Sequence, residues 1–236
     1  MLKKHTNQIR DDVKKAYNSI ASEFDQTRKV QWLEFEDFLE YVKKGQKILD
    51  LGCGNGRFYE LLRPKNVDYL GVDNSSGLIE KARTNHPSAE FKLGDMVDLK
   101  LSDSKFDIIF SIASFHHVPS SKLRKQTVKE MHRILKKDGV LILTVWNLFQ
   151  WKYLKCFIKS ILSFVLHLGF KYSWNDLWVK WGNKPIKRYY HAFLPSELNR
   201  YFDVKQWKIE KFYFTRRGSR VKFLQSFNLC LIVRKK

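Results

Sequence analysis

The chain has 236 residues, of which 44% are hydrophobic, a composition that suits one domain with its own core and excludes a disordered or fibrous protein. Its three cysteines form no CxxC pair, which argues against a disulfide framework or a zinc cluster and favours a reducing, cytoplasmic location. The N-terminus has no apolar core, and the longest apolar stretch is shorter than the about 20 residues of a membrane span. We therefore expect a soluble protein with no signal peptide, no integral membrane association and no metal site.

The formal net charge of +20 is unevenly distributed along the chain. Residues 146–236 contain 19 of the 44 Lys and Arg residues, four of the 24 Asp and Glu residues, and 22 of the 35 aromatic residues. A basic segment rich in aromatic side chains is typical of a surface that binds nucleic acid through phosphate contacts and base stacking. The alternative interpretation is a solvated basic face that covers an aromatic core.

The hydrophobic pattern predicts two helices followed by a regular alternation of strands and helices. Apolar residues at helical spacing predict a helix over 11–24 and a second helix over 33–42. Beyond them, strands are predicted at 47–51, 69–72, 90–93, 106–112 and 140–146, with helices through 61–62, over 78–83 and over 122–135. Such an alternation indicates a doubly wound α/β fold with a mainly parallel sheet.

The last third of the chain is less regular. The pattern predicts a helix over 151–168, a loop containing Trp174, Trp178 and Trp181, and a short capped helix over 196–202. Two strands, near 207–215 and 223–233, are expected to form an antiparallel hairpin at the edge of the sheet.

Three glycines directly follow the first predicted strand, at Gly52, Gly54 and Gly56. Glycines between a strand and a helix let the backbone turn tightly and approach a ligand closely. A dinucleotide fingerprint needs its third glycine at position 57, which is Arg57 here, and the lysine of a P-loop is absent. The loop therefore predicts neither a nicotinamide site nor a nucleoside triphosphatase.

The D-x-G-C-G-x-G spacing from Asp50 to Gly56 resembles motif I of the class I S-adenosylmethionine-dependent methyltransferases. Asp73 ends the second strand, where the resemblance implies contacts to the ribose hydroxyls, and Asp95 lies where these enzymes bind the adenine amino group. Phe106–Ser111 and Leu135–Leu143 resemble the motifs of the fourth and fifth strands. The resemblance implies a Rossmann-like class I methyltransferase fold and S-adenosylmethionine as cofactor. The cofactor-binding residues that it implies are Tyr17, Arg28, Asp50, Gly52, Cys53, Gly54, Gly56, Asp73, Asn74, Asp95, Met96 and Ser111.

Two further stretches make the resemblance more specific. Tyr17–Arg28, which ends in Q-T-R, and Arg188–His191, which reads R-Y-Y-H, are similar to the tRNA wobble-uridine carboxymethyl methyltransferases of yeast and animals, as are Asp73–Ile79 and Ser111–His117. The resemblance covers roughly 13–32, 47–146 and 185–203. It implies methylation of the carboxylate of 5-carboxymethyluridine in a tRNA anticodon, and a small zinc-binding activator protein as partner. The long polar insertion that precedes R-Y-Y-H in the yeast enzyme is shorter here.

A substrate carboxylate is already ionised at neutral pH, so its methylation needs positioning and exclusion of water rather than a strong general base. The catalytic candidates are Arg188 and His191, which would hold one carboxylate oxygen, and His116, which is expected to line the pocket. Tyr189 or Tyr190 would stack on the uracil, with core packing as the alternative for one of them, and a surface cation is the alternative for Arg188. The resemblance also implies that Arg28 contacts the methionine carboxylate of the cofactor and that Tyr17 covers the cofactor.

The candidate RNA-binding residues lie in the basic C-terminal part, and they are Lys180, Lys184, Lys187, Tyr189, Arg216, Arg217 and Arg220. We expect three regions within one domain: N-terminal helices at 1–45 that cover the cofactor, a cofactor-binding core at 46–148, and a substrate-recognition region with closing strands at 149–236. The alternative function is a small-molecule methyltransferase, acting on a quinone precursor or an organic acid beneath a C-terminal lid. Basic residues beside the apolar face of the 151–168 helix permit a peripheral-membrane version of that alternative. A third alternative is an RNA-binding scaffold that holds the cofactor without turnover.

Overall fold

The computed structural model describes residues 2–28, 33–167 and 173–236. Its strands are β1 (Lys47–Leu51), β2 (Asp68–Asp73), β3 (Glu90–Leu93), β4 (Phe106–Ile112), β5 (Leu135–Trp146), β6 (Asp176–Lys180), β7 (Lys187–His191), β8 (Trp207–Arg216), β9 (Ser219–Arg220) and β10 (Asn228–Lys235). The α-helices are α1 (Leu2–Thr27), α2 (Tyr59–Leu62), α3 (Ser76–Asn85), α4 (Ser121–Ile134), α5 (Leu154–Leu166) and α6 (Pro195–Asn199). Short 3₁₀-helices lie at Leu33–Tyr41, Arg63–Lys65, Phe115–His117, Trp151–Tyr153 and Phe223–Gln225.

Eight of these strands form one sheet in the order β3-β2-β1-β4-β5-β10-β8-β9. Strands β1 to β5 pair in parallel, while β10 pairs antiparallel with both β5 and β8. The strand order reverses between β1 and β4, and ligands of doubly wound sheets bind at the carboxyl ends of the strands beside that point. The prediction of a doubly wound, mainly parallel sheet with an antiparallel edge hairpin is confirmed.

The central strands are buried on both faces, which explains their nearly continuous apolar sequence. Leu49 of β1 and Ile109 of β4 belong to the core on one face, where Met131 of α4 packs, whereas Ile48 and Ile108 belong to the core on the other face. Neighbouring residues of a strand point to opposite faces, so each pair divides between the two cores. This double-sided packing fixes the carboxyl edge of the sheet, where the site lies.

The segment predicted as a tryptophan-rich loop instead contains β6, which pairs antiparallel with β7. Leu177 of β6 lies opposite Tyr190 of β7, and both side chains are fully buried. The two residues share a small core with Leu148 and Phe157, apart from the main sheet. The loop prediction is therefore wrong, because partners distant in sequence supply the core that makes this hairpin stable.

Other boundaries differ as well: α1 begins at Leu2 rather than at residue 11, β5 begins at Leu135 rather than at residue 140, and α6 ends at Asn199 rather than at residue 202. The second helix is a 3₁₀-helix, and β10 begins at Asn228 because a 3₁₀-helix occupies Phe223–Gln225. Helix α5 ends at Leu166, and residue 168 of the predicted helix lies outside the described residues, as do residues 29–32 of the resemblance. Among the described residues, no helix combines the length and apolar character needed to cross a membrane.

Helix α1 is anchored over the carboxyl edge of the sheet by α3 and β7. The side-chain oxygen of Asn18 accepts hydrogen bonds from the Ser75 hydroxyl at 2.7 Å and from the Gly77 amide at 3.2 Å. Farther back along α1, Ile9 and Val13 pack on Tyr189 of β7. These contacts place the middle of α1 above the glycine loop.

Candidate active site

The candidate site begins at the glycine loop between β1 and α2. Gly52, Gly54 and Gly56 have φ values of 85°, 58° and 78°, a left-handed region that side chains disfavour. A Cβ atom on Gly52 would lie 2.3 Å from the Cβ of Ser114, so the close approach of the chain after β4 also requires glycine there. Gly52 and Gly54, together with Cys53, line a cleft that lies between helix α1 and the carboxyl ends of the central strands. The loop therefore presents backbone to the cleft, as a cradle for a ligand does.

Asp73 lies at the end of β2 and also lines the cleft, beside Asn74. Its carboxylate accepts hydrogen bonds from the amides of Gly54 at 3.0 Å and Ser75 at 2.9 Å. Burial raises the pKa of Asp73, and these amide hydrogen bonds oppose that shift. A carboxylate held in this way can accept from paired hydroxyls of a ligand.

Asp50 and Cys53 form the floor of the cleft. Burial raises the pKa of Asp50 to about 7, although the Tyr69 hydroxyl donates a hydrogen bond to its carboxylate at 2.9 Å. Burial also raises the pKa of the Cys53 thiol well above its ordinary value. Because the thiolate is the reactive form of cysteine, Cys53 is unsuited to nucleophilic chemistry here.

Three of the expected cofactor residues lie beside the cleft rather than in its wall. Asp95 accepts a hydrogen bond from Arg10 of α1 at 2.6 Å and one from the Val97 amide at 2.9 Å, whereas its neighbours Gly94 and Met96 line the cleft. The Ser111 hydroxyl is fully buried and bonds to that of Ser114 at 2.9 Å. A Cβ atom on Gly56 would meet the rings of His86 and Phe91 at 2.8 Å, so Gly56 faces the core behind the loop.

Helix α1 covers the cleft with Tyr17 and Phe24, and Arg28, which directly follows the helix, lines the cleft as well. The guanidinium carbon of Arg28 lies 5.5 Å from the Phe24 ring centroid and 5.4 Å from that of Trp181, within the range of cation–π attraction. Burial, together with the neighbouring charge of Arg188, lowers the pKa of Arg28. This arginine is therefore a cation that an anionic group at the cleft would stabilise.

A hydrogen-bonded chain links α1 to the residues after β4. The Nδ1 atom of His117 lies 2.7 Å from the Tyr189 carbonyl oxygen, which can only accept, so Nδ1 carries the proton. Burial, aided by Arg188, lowers the pKa of His117 to about 3, and the ring is neutral. The remaining Nε2 atom must then accept from the Tyr17 hydroxyl, 2.7 Å away. The Tyr17 oxygen thus keeps its lone pairs for Arg188, whose terminal nitrogen lies 3.5 Å away.

The histidine in the cleft wall is His117, whereas the sequence-based expectation was His116. The His116 ring is fully buried, and its Nδ1 atom accepts a hydrogen bond from the Trp146 amide at 3.1 Å. Burial lowers the pKa of His116 well below its ordinary value. The short 3₁₀-helix at Phe115–His117 turns consecutive side chains in different directions, which adjacency in sequence does not reveal.

Arg188 lies in the cleft wall while being only 5% exposed. Its guanidinium carbon is 4.6 Å from the Trp181 ring centroid and 5.2 Å from that of Tyr190. Its Nε atom has no hydrogen-bond partner, and no described carboxylate lies within ion-pair distance of Arg188. A buried cation without a counter-charge is costly, so this position favours an anionic ligand.

His191 lies outside the cleft, contrary to the expectation that it holds a substrate. Its Nδ1 atom is 2.7 Å from Asp176 and its Nε2 atom 2.7 Å from Glu197, so both ring nitrogens are engaged by carboxylates of the same chain. Burial alone would raise the pKa of each carboxyl group, but the interactions with His191 and with further donors together outweigh burial and lower both pKa values. The arrangement joins β6, β7 and α6.

Neither tyrosine of R-Y-Y-H can stack on a base in this structure, because both are fully buried. The Tyr189 hydroxyl donates to Asp176 at 2.6 Å, and the Tyr190 ring stacks on Trp146 with centroids 5.3 Å apart. The prediction of Tyr189 as an RNA-binding residue is therefore wrong. Trp146 is the aromatic residue of this group that lines the cleft, and its position at the carboxyl end of β5 was the available signal.

The predicted basic residues lie in two exposed groups. Lys180, Lys184 and Lys187 lie on the β6–β7 hairpin, where Lys184 pairs with Glu23 of α1. The second group, at the tip of the β8–β9 hairpin, consists of the exposed side chains of Arg216, Arg217 and Arg220.

Comparisons with known proteins agree with this geometry. A family model described as a methyltransferase domain matches residues 49–143. The tRNA (carboxymethyluridine(34)-5-O)-methyltransferase of Schizosaccharomyces pombe is 30% identical over 197 residues, which cover 79% of this chain and 84% of that protein. Several other curated relatives are longer, and the matched residues span between 22% and 49% of their length.

Solved structures of methyltransferases share the fold. A SAM-dependent methyltransferase from Methanosarcina mazei is 26% identical, with a TM-score of 0.68, and the match covers 84% of this chain and 96% of that one. A methyltransferase of Haloferax volcanii, solved in complex with the Trm112 methyltransferase activator, is 16% identical, with a TM-score of 0.67 and coverage of 94% and 96%.

The parallel sheet, the glycine cradle and the acidic end of β2 define a class I S-adenosylmethionine-dependent methyltransferase, an enzyme whose cofactor is S-adenosylmethionine. Within this class, the chain belongs to the methyltransferase family that includes the S. pombe tRNA (carboxymethyluridine(34)-5-O)-methyltransferase.

Proposed function

We propose that this methyltransferase acts in the cytoplasm on the carboxylate of 5-carboxymethyluridine at the wobble position of tRNA, forming a methyl ester. The observation that carries the proposal is Arg188, a buried cation in the cleft wall with no described carboxylate as partner. An anionic acceptor group would supply the missing counter-charge. The names of the curated relatives support the choice of tRNA, as does the strongly basic C-terminal part of the chain.

The cleft fits S-adenosylmethionine, which supplies an electrophilic methyl group on a sulfonium. Asp73 would accept from the ribose hydroxyls, and the backbone cradle from Gly52 to Gly54 would approach the cofactor closely. Asn74 and Met96 line the part of the cleft that would receive adenine, with Asp95 beside it. Arg28, beneath α1, would pair with the methionine carboxylate.

The chain's own residues would orient the acceptor and exclude water. Arg188 would hold one carboxylate oxygen and leave the other free to attack, since an ionised carboxylate needs no base. The Tyr17 hydroxyl donates a hydrogen bond to His117, so its oxygen can accept from Arg188 and help to orient the guanidinium. The rings of Trp181 and Trp146 surround the cation and reduce its hydration. Trp146, rather than Tyr189 or Tyr190, is the proposed stacking surface for uracil.

Methyl transfer from labelled cofactor into tRNA that contains carboxymethyluridine tests this function. We expect label that base releases as methanol, and a loss of kcat/KM of about 100-fold in Arg188→Gln, because a charge-assisted hydrogen bond contributes roughly 1.5–3 kcal/mol. The cofactor dissociation constant, measured by calorimetry, should stay within about twofold. Arg63→Gln, which removes an exposed arginine, is the matched control.

Each other outcome contradicts a specific part of the proposal. Base-stable label would move the acceptor to a base or ribose atom. Transfer to a small organic acid but not to tRNA would favour the small-molecule alternative. Full activity of Arg188→Gln would remove Arg188 from substrate binding.

We further propose that a small zinc-binding activator protein binds this chain, as the family resemblance implies. The complex of the Haloferax neighbour with Trm112 supports this proposal. Co-purification with an activator of that type, and a gain in methyl transfer on its addition, would be the expected results. Full activity of the purified chain alone would show that no activator is required.

A further inference from the structure

Helix α5 has most of its apolar residues on the outside, although Phe157 is buried. Ser160 faces the protein, is 7% exposed, and donates a hydrogen bond to the Asp176 carbonyl at 2.7 Å. An outward stripe of α5 is apolar, with exposed fractions of 47% for Leu154, 49% for Ile158, 44% for Ile161, 57% for Leu162 and 61% for Val165, and Trp151 of the preceding 3₁₀-helix is 90% exposed. A surface helix of a globular protein ordinarily has the opposite arrangement, with its apolar stripe against the core. A contiguous exposed apolar stripe of this kind marks an interaction site.

A row of lysines borders the apolar stripe. Lys152, Lys155 and Lys159 are all exposed, and their spacing of three and four residues puts them on one side of the helix. The sequence contains no Asp or Glu between positions 150 and 175. The surface is therefore both apolar and purely cationic, which suits an anionic partner with an apolar interior.

The patch continues onto the loop before β10. The charged ends of Lys152 and Arg216 lie 5.6 Å and 4.9 Å from the centroid of the same Phe227 ring, so the basic tip of the β8–β9 hairpin adjoins the start of α5. In the 3₁₀-helix that follows the tip, Leu224 is 74% exposed. Phe223, beside it, packs on Phe149, which in turn packs on α5.

We propose that this surface, consisting of Trp151–Leu166 and Leu224, docks on a membrane whose headgroups are anionic. Helices that lie in the plane of a membrane bury an apolar face at the acyl boundary while bordering lysines extend to the headgroups. Nucleic acid would use the lysines but leave the aliphatic stripe exposed to water. A protein partner would have to supply an apolar core with an acidic rim that matches these lysines, whereas an anionic bilayer presents both chemistries over its whole surface.

Vesicle co-sedimentation of the full-length chain tests the proposal, with phosphatidylcholine vesicles that contain 30% phosphatidylserine or none. We expect binding to the anionic vesicles only. Ile158→Asp/Leu162→Asp should weaken that binding at least tenfold without changing the thermal midpoint, because both side chains are exposed. Val204→Asp/Ile209→Asp makes the same change in charge at exposed apolar positions outside the patch and should bind within twofold of wild type. Quenching of tryptophan emission by brominated acyl chains should decrease in Trp151→Phe.

Two results would overturn the proposal. Equal vesicle binding by wild type and Ile158→Asp/Leu162→Asp would show that net charge alone attracts the chain to lipid. A wild-type dimer in sedimentation velocity that dissociates in this variant, without vesicle binding by either protein, would show that a second copy covers the stripe. The tRNA affinity of the variant should equal that of wild type, so the result is independent of the proposed function.

Discussion

At the scale of single residues, burial shifts the pKa values of side chains in the cleft wall and so determines which of their atoms donate hydrogen bonds. Burial keeps the His117 ring neutral, and its tautomer is fixed because the Tyr189 carbonyl oxygen can only accept a hydrogen bond. Tyr17 is consequently forced to donate to His117, and it presents only lone pairs to Arg188. The Tyr17 oxygen therefore helps to orient the guanidinium, which the Trp181 and Tyr190 rings also contact.

Tyr17→Phe should lower the free energy of unfolding by about 1–3 kcal/mol, because it leaves the buried Nε2 atom of His117 without a donor. It should also lower kcat/KM more than Tyr59→Phe does, since Arg188 loses its orienting oxygen. The hydroxyl of Tyr59 bonds to Ser88 at the exposed surface, so that control should stay within about 0.5 kcal/mol of wild type. Urea unfolding and steady-state kinetics measure both effects. Equal values for the two variants would refute the orienting role of Tyr17.

Asp50 makes the stability of the cofactor-free protein depend on pH. Its ordinary pKa is 3.8, and burial raises the pKa to about 7 in the folded chain. Between these values the folded state retains a proton that the unfolded state has released, so stability should fall as pH rises from about 4 to 7. Asp50→Asn cannot ionise and still accepts from Tyr69, so it should be more stable than wild type by about 2–4 kcal/mol at pH 8 and by little at pH 4. Urea unfolding of both proteins at these two pH values measures the difference in free energy of unfolding between Asp50→Asn and wild type. The same difference at both pH values would show that Asp50 does not take up a proton on folding.

At the scale of elements, the sequence predicts best those segments whose structure follows from their own residues. β1 and β4 have the predicted bounds, because buried parallel strands are nearly continuous apolar runs. β3 also has the predicted bounds, although it is an edge strand in which only Phe91 is buried. The glycine loop could also be predicted from the sequence, since backbone positions with positive φ values favour glycine. The β6–β7 hairpin was missed because Leu177 and Tyr190 find their core in α5 and the chain after β5, which no local pattern reveals.

The same limit explains the errors in the site. His191 has the residue type of a catalytic group, but its partners Asp176 and Glu197 come from two other elements. R-Y-Y-H lies on one strand, so Tyr189 and His191 point to the face opposite Arg188. Tyr190 shares the face of Arg188 but is covered by Trp146, so Arg188 is the residue of the four that lines the cleft. The R-Y-Y-H motif correctly pointed to strand β7 as part of the site. Which of its residues lines the cleft depends on strand geometry and packing, which the motif does not reveal.

His191→Ala should destabilise the chain by about 3 kcal/mol, because it removes the hydrogen-bonding partner that the Asp176 and Glu197 carboxylates share and leaves them facing each other. His191→Ala/Glu197→Gln removes one of these charges and should recover part of the loss. Thermal unfolding measures both variants, and the cofactor dissociation constant should change little, since His191 lies outside the cleft. A stable His191→Ala protein with abolished methyl transfer would instead restore His191 as a substrate-binding residue.

At the scale of the whole molecule, the positive charge is concentrated in the C-terminal part of the chain. The segment from 146 to 236 contains 19 basic and four acidic residues, and it includes both exposed basic groups near the cleft. A polyanion that reached Arg188 would therefore be attracted along a surface of one sign. Phosphate contacts of this kind release counterions, so their number can be counted from the dependence of affinity on salt.

We expect Arg216→Gln/Arg217→Gln/Arg220→Gln to weaken tRNA binding and to make its dependence on salt shallower by about 2 in the slope of log K against log salt, since each single-strand phosphate contact contributes roughly 0.7. Lys43→Gln/Lys44→Gln/Lys65→Gln is the matched control, because it removes the same charge from exposed positions at the amino ends of β1 and β2, opposite the cleft. The control should lower affinity slightly through net charge and keep the slope of wild type. Filter binding between 50 and 200 mM salt, a range over which such contacts lose much of their affinity, measures both slopes.

If both triple variants changed the slope equally, tRNA would respond to total charge rather than to the hairpin tip. Cofactor affinity should be unchanged in either variant, because none of the six residues lines the cleft.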